Sequence, residues 1–201
     1  TIRILEGKEN RSFEQYTQEQ GKREQALSAW GYLQNLYRND PLFAKQQVPN
    51  QAIQAELLRI QGEDEAFIAS LPRDSFVRWF LPIRKLVSAV GAVAQYRTAE
   101  LPQTIAAFRD LDYADPHFQK IGLYRDLFES QFWLLENSGG TLDEVYEKME
   151  VSIDAILSSV GKNAALYNEV SAYLLELLER RSLINAAEYL ALTVLEQDEV
   201  V

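Results

Sequence analysis

The sequence contains no cysteine, and His117 is its only histidine. Without a thiol, the chain can form neither a disulfide nor a thiolate metal site, and it offers no cysteine nucleophile. One histidine cannot build a histidine metal cluster, and in the first turn of a predicted helix it suits a surface or capping role. The phosphate-binding patterns GxGxxG and GxxxxGK[ST] do not occur. The sequence therefore predicts no metal site, no cofactor and no catalytic residue.

Basic residues are scarce relative to acidic ones. Thirty Asp and Glu against 20 Lys and Arg give a formal net charge of −10, which argues against binding to nucleic acid. The acidic run at residues 63–65 is expected to be a solvated helix face. No apolar run reaches the roughly 18–20 residues that cross a bilayer, so no membrane-spanning segment is predicted. The 47% of hydrophobic residues is typical of a globular chain with a sizeable core.

The first residues differ in pattern from the rest of the chain. TIRILEG, at residues 1–7, alternates apolar and polar side chains, which is typical of a short strand. Because an isolated strand is unstable, we expect residues 1–8 to be the end of a preceding β-rich module or a linker. A disordered or helix-extending terminus is the alternative. Since the chain begins at Thr1 and its one methionine is Met149, we expect a processed chain or an excised fragment.

Helical patterns occupy the remainder, and we expect residues 9–201 to form a single α-helical domain. Apolar residues recur at three- and four-residue steps between turn signals. Predicted helices cover residues 9–39, 49–70, 72–97, 101–111, 116–137, 141–160, 164–181 and 182–196. The predicted fold class is therefore all-α, a bundle of about seven to eight helices in which stacked helical hairpins are one arrangement.

The helix predicted over residues 72–97 is apolar on most of its surface, so we expect it to be the central helix of the fold. The side chains that we expect to share one core are Trp79, Phe80, Val87, Phe128 and Phe132. Pro82 lies inside this helix, where it removes one backbone hydrogen bond. It either kinks the helix or begins a new one as a first-turn proline.

Two local patterns predict where helices begin. Thr141 and Glu144 have the spacing of a capping box, in which each side chain satisfies an amide that the first helical turn leaves unpaired. Asp115, an N-cap acceptor, is followed by Pro116 at the first helical position, which predicts the start of the helix over residues 116–137.

The candidate binding residues are Arg78, Trp79, Arg84 and Lys85, on the flank of the central helix. On an acidic chain, three cations beside an indole ring form a local site for an anionic ligand or for the acidic edge of a partner. The alternative is structural, with Asp74 and Arg78 paired four residues apart and Trp79 filling the core. The sequence favours the structural alternative.

Three segments carry a family resemblance: SLPRDSFVRWFLPIRKLVSAVGAVAQYRT (residues 70–98), IAAFRDLDYADPHFQKIGLYRDLFESQFWLLENSG (105–139) and RRSLINAAEYLALTVL (180–195). They resemble the α-helical region of bacterial TlpA-like thiol-disulfide oxidoreductases. In that family the region lies between an N-terminal β-rich module and a C-terminal thioredoxin-like domain, whose chemistry resides in a Cys-x-x-Cys pair. Because this chain lacks cysteine, none of the family's catalytic residues can be assigned to a position here.

The resemblance implies a non-catalytic helical accessory domain of a cell-envelope oxidoreductase, located in the periplasm or cell envelope. The implied partners are the adjoining β-rich and thioredoxin-like domains of the parent chain, with a second copy or another protein as a further partner. The competing hypothesis is a free-standing helical binding module for a peptide or small anionic ligand, using Arg78, Trp79 and Arg84. An enzyme with carboxylate chemistry is the third class.

Overall fold

The computed structural model describes residues 7–121 and 123–198, except for the side chains at 119, 197 and 198. Over these residues the chain forms eight α-helices and no strand, which confirms the all-α class. The helices are α1 (Lys8–Asn39), α2 (Gln47–Ser70), α3 (Phe76–Gln95), α4 (Leu101–Arg109), α5 (Tyr124–Glu136), α6 (Leu142–Val160), α7 (Ala164–Arg180) and α8 (Ile184–Asp198). Short 3-10 turns lie at Thr98–Glu100 and Phe118–Lys120. The strand predicted for residues 1–7 falls, except for Gly7, outside the described residues.

The helices divide into two compact units, Thr1–Leu101 and Pro102–Val201. The first contains α1 to α3, and the second contains α4, from its second residue onward, to α8. The expectation of a boundary near residue 8 and of one helical domain after it stays a prediction.

In the first unit, α1 and α2 form an antiparallel hairpin, and α3 packs against both. The pairing runs in opposite directions because Gln34 near the end of α1 bonds to Gln54 near the start of α2, whereas Tyr16 contacts Phe67. Two buried apolar clusters stabilise the unit. One comprises Tyr16, Leu71, Val77 and Leu81, and the other Leu27, Ile53, Leu57 and Ile60.

Gly31 allows α1 to approach the end of α3. A Cβ atom at this position would lie 2.8 Å from Cγ of Arg97 and 2.9 Å from the carbonyl oxygen of Tyr96. No side chain fits at those distances without a shift of the backbone. A glycine that weakens the helix locally is therefore explained by close packing.

The helix α3 is continuous through Pro82, so the alternative of a new helix beginning there is wrong. Its start is held from two sides. The Ser75 hydroxyl accepts the amide of Arg78 at 3.2 Å, and the Glu9 carboxylate of α1 accepts the amide of Val77 at 3.0 Å. A carboxylate at a helix N-terminus also complements the helix dipole.

The buried face of α3 differs from the expected one. Its buried residues are Val77, Leu81, Ile83, Ala89 and Val93. Trp79, Phe80 and Val87 are only half-buried, so the prediction that they are core residues is wrong. The helix is apolar nearly all round, and its sequence pattern alone does not distinguish the face that the neighbouring helices cover.

In the second unit, α6 packs against α5, α7 and α8, and α7 also packs against α8. The interior contains the expected aromatic residues, since Phe128 and Phe132 are fully buried. Tyr113, in the loop before α5, is 1% exposed, and its ring lies 5.1 Å from that of Phe128. The arginine of α4, Arg109, donates to the Ser152 hydroxyl of α6 at 2.9 Å.

The helix predicted over residues 116–137 begins only at Tyr124. Asp115 does accept the amide of His117, at 2.8 Å, but the segment then makes a single 3-10 turn and Ile121 is extended. Phe118 explains the difference, because its side chain is 2% exposed and its ring packs beside that of Tyr113. Burial of this ring outweighs the local preference for a longer helix.

The capping box is confirmed. The Thr141 hydroxyl accepts the amide of Glu144 at 3.3 Å, and the Glu144 carboxylate accepts the amide of Thr141 at 2.7 Å. This hydrogen bond from the Thr141 backbone lowers the pKa of the Glu144 carboxyl below its ordinary value.

We expect Phe132→Ala to destabilise the second unit by about 3–5 kcal/mol, because it leaves a cavity at a fully buried ring. Phe80→Ala should cost distinctly less, roughly 1–2 kcal/mol, since its ring remains half-exposed in the folded chain. Urea unfolding followed by circular dichroism measures both. Equal losses in the two variants would contradict the core described above.

The lowered pKa of Glu144 predicts a pH-dependent contribution to stability. A carboxyl that is more acidic in the folded chain stabilises above its unfolded pKa, near 4.5, and that contribution is lost as the pH falls through the folded pKa. Glu144→Gln should therefore lower the melting temperature at pH 7 and have a smaller effect at pH 3. The same decrease at both pH values would show that charge does not matter at this cap.

Candidate functional site

The four residues singled out by sequence all lie on α3, but they do not converge on one ligand site. Arg78 reaches back to the end of α2, where its Nη1 donates to the carbonyl oxygen of Leu71 at 2.7 Å and to that of Ala69 at 3.3 Å. Ala69 lies in the last turn of α2 and Leu71 is its C-cap residue, so the arginine caps the C-terminus of α2.

Trp79 and Arg84 contact aromatic rings. The Trp79 ring lies 5.5 Å from that of Phe76, and the Arg84 guanidinium lies 4.9 Å from the centre of the Phe13 ring on α1. A guanidinium over an aromatic face is attracted by the negative charge density of the ring. Arg84 thereby ties α3 to the first turns of α1.

Lys85 forms an ion pair with Asp64 of α2. The Asp64 side chain is only 3% exposed and that of Lys85 is 28% exposed. The expectation that residues 63–65 form a solvated face is therefore wrong for Asp64, although Glu63 and Glu65 are exposed. A buried carboxylate is tolerated only with a close partner of opposite charge, which Lys85 provides.

Further polar side chains surround this ion pair in the interior of the first unit. Arg97 is 4% exposed and pairs with Glu24 of α1 at 3.2 Å. Burial raises the pKa of the Tyr16 hydroxyl, and the neighbouring Asp64 carboxylate raises it further. We call the set Tyr16, Glu24, Asp64, Lys85 and Arg97 the interior polar layer. Its members are contributed by all three helices and by the turn that follows α3.

The spacing of charged residues relative to apolar ones in α2 and α3 indicates this layer in the sequence. On α2, Asp64 follows Leu57 and Ile60 at the same three- and four-residue steps that carry the buried stripe. On α3, Lys85 lies four residues after Leu81 and four before Ala89, both of which are buried. Charged residues at stripe positions of facing helices are the pattern expected of an interhelical ion pair.

The second unit contains a cleft of about 250 Å³ between the start of α5 and one face of α7. Its lining residues are Tyr124, Arg125, Glu169, Val170, Ala172, Tyr173 and Glu176. Burial raises the pKa of Tyr124 to about 12, with a smaller contribution from the Glu169 carboxylate. Sequence reasoning missed this cleft, because its two walls are about 45 residues apart in the chain.

Within residues 7–121 and 123–198, no three histidine, aspartate or glutamate side chains are grouped so as to hold a metal ion. Over the same residues, no helix combines the length and the apolarity needed to cross a membrane.

Comparison with known proteins does not assign a family: no family model, no curated protein and no solved structure matches this chain. The TlpA-like resemblance therefore stays a prediction.

We expect Lys85→Met to destabilise the first unit by on the order of 3 kcal/mol, because it leaves the Asp64 carboxylate buried without its cation. Replacing both residues, as Asp64→Leu with Lys85→Met, should recover most of that loss. Lys22→Met, at an exposed position of α1, is the matched control. Denaturant unfolding of the wild type, Lys85→Met, Asp64→Leu, the double variant and the control measures the coupling, and additive losses would show that the pair is not an energetic unit.

Proposed function

We propose that this chain is a non-catalytic helical accessory domain of a cell-envelope thiol-disulfide oxidoreductase. In this role it positions the redox domain of the parent protein, or provides a surface for self-association or for another protein. The proposal rests on the resemblance of residues 70–98, 105–139 and 180–195 to the helical region of TlpA-like proteins, and on the lack of any cysteine.

The observation that carries the non-catalytic part of the proposal is the use of the charged residues of α3. Arg78 caps a neighbouring helix, Arg84 covers an aromatic ring, and Lys85 neutralises a buried carboxylate. Each cation is engaged in holding two helices together. Such contacts suit a rigid scaffold, whereas a catalytic group needs access to a substrate.

The partners under this proposal are the adjoining β-rich and thioredoxin-like domains of the same parent chain, in the periplasm or cell envelope. Folded helical units between such domains restrict the distance between them more than a flexible linker of the same length would.

A free-standing binding module is the second candidate function, and the cleft between α5 and α7 is the observation that favours it. The reading frame on either side of this chain distinguishes the two. A Cys-x-x-Cys pair encoded shortly downstream supports the accessory domain, and a stop codon directly after Val201 supports the binding module.

If the proposal is correct, the purified chain should not accelerate the reduction of insulin by dithiothreitol, because thiol-disulfide exchange requires a thiolate and the chain has none. The rate should equal that of buffer alone, while a thioredoxin at the same concentration serves as the positive control. Turnover above the buffer rate would contradict a non-catalytic role.

A further inference from the structure

Tyr173, which lines the cleft between α5 and α7, is held in place by a hydrogen bond. The Tyr173 hydroxyl donates to Oε1 of Glu129 at 2.8 Å, and Arg180 donates to the same oxygen at 2.7 Å. The guanidinium of Arg125 lies over the Tyr173 ring, 5.0 Å from its centre. Arg125 therefore rests on a ring that is itself held in place, and this contact leaves the N–H edge of the guanidinium available for hydrogen bonds.

Two opposite charges line this cleft without pairing. Among the described residues, neither Arg125 nor Glu169 has an ion-pair partner, although both border the same space. Glu176, which also lines the cleft, has only a long contact of 3.8 Å to Arg180, which lies closer to Glu129. The cleft therefore has a cation and a carboxylate that do not pair, with an apolar surface from the half-buried rings of Tyr124 and Tyr173.

We propose that this cleft binds a small zwitterion, a free α-amino acid or a compound of the same size that carries both an ammonium and a carboxylate group. The Arg125 guanidinium would bind the carboxylate, and Glu169 would bind the ammonium group. The side chain of the ligand would pack on the rings of Tyr124 and Tyr173. This inference goes beyond the accessory role, and neither depends on the other.

Size and charge both favour this class of ligand. A volume of about 250 Å³ lies below the range of pockets that hold drug-sized molecules, which begins at roughly 300 Å³. A purely anionic ligand would bring its charge towards Glu169, and a purely cationic one would bring its charge towards Arg125. Only a ligand with both charges finds a partner for each residue.

The test uses the whole chain and three related probes: L-phenylalanine, L-phenylalanine amide, which lacks the carboxylate, and N-acetyl-L-phenylalanine, which lacks the ammonium group. Binding is followed by NMR through the resonances of Tyr124, Val170 and Tyr173. We expect L-phenylalanine to shift these resonances and each modified probe to bind about tenfold more weakly, the usual effect of losing one charge-assisted hydrogen bond.

Two variants test which residue of the cleft binds the carboxylate of the ligand and which binds its ammonium group. Arg125→Gln should bind L-phenylalanine and its amide equally, whereas Glu169→Gln should bind L-phenylalanine and its N-acetyl form equally. Both positions are exposed, so the circular dichroism spectrum should not change. Glu188→Gln, at an exposed position of α8, is the matched control and should behave as wild type.

Three results would overturn the proposal: no shift at the cleft with L-phenylalanine, equal binding of all three probes to the wild type, or wild-type discrimination in both variants. None of these results would bear on the accessory role, which the insulin assay and the reading frame test separately.

Discussion

The ion pair between Lys85 and Asp64 is the constraint on which the first unit depends. A carboxylate that is 3% exposed needs its cation at one defined position, so α2 and α3 cannot slide past one another without separating the charges. Arg97 and Glu24 impose the same restriction between the end of α3 and α1. Apolar contacts supply most of the stabilisation on either side of this layer, but they tolerate small shifts that buried charges do not.

The second unit has aromatic rings packed among many buried aliphatic side chains. Phe128 and Phe132 are fully buried there, and the rings of Tyr113 and Phe118 bring the loop before α5 into the same core. Polar contacts such as that of Arg109 with Ser152 join its helices at the edge of this core. The rings of Phe128 and Tyr173, 6.1 Å apart, join α5 to α7 beside the cleft.

The candidate residues on α3 illustrate how one charge pattern serves two purposes. Cations beside a tryptophan on an acidic chain are the pattern of a docking surface, yet the same groups here cap α2, cover Phe13 and neutralise Asp64. Whether such cations bind a partner protein or hold helices together depends on which groups the neighbouring helices place opposite them. The cleft of the second unit shows the opposite case. Arg125 and Glu169 form no recognisable motif in the sequence, but both line this cleft in the folded chain.

Local patterns alone determined the all-α class, most helix boundaries and the capping box at Thr141, because helix periodicity and capping depend on residues within a few positions of one another. Tertiary structure decided which face of α3 is buried, that Asp64 is an interior residue, and that the helix after Pro116 starts late. The first two outcomes depend on partners far away in sequence, which are α1 and α2 for α3 and Lys85 for Asp64. The third depends on a nearby ring, because Phe118 packs beside Tyr113, which itself packs on Phe128 of α5. Burial against such partners contributes more free energy than local preference does, so only the folded chain reveals it.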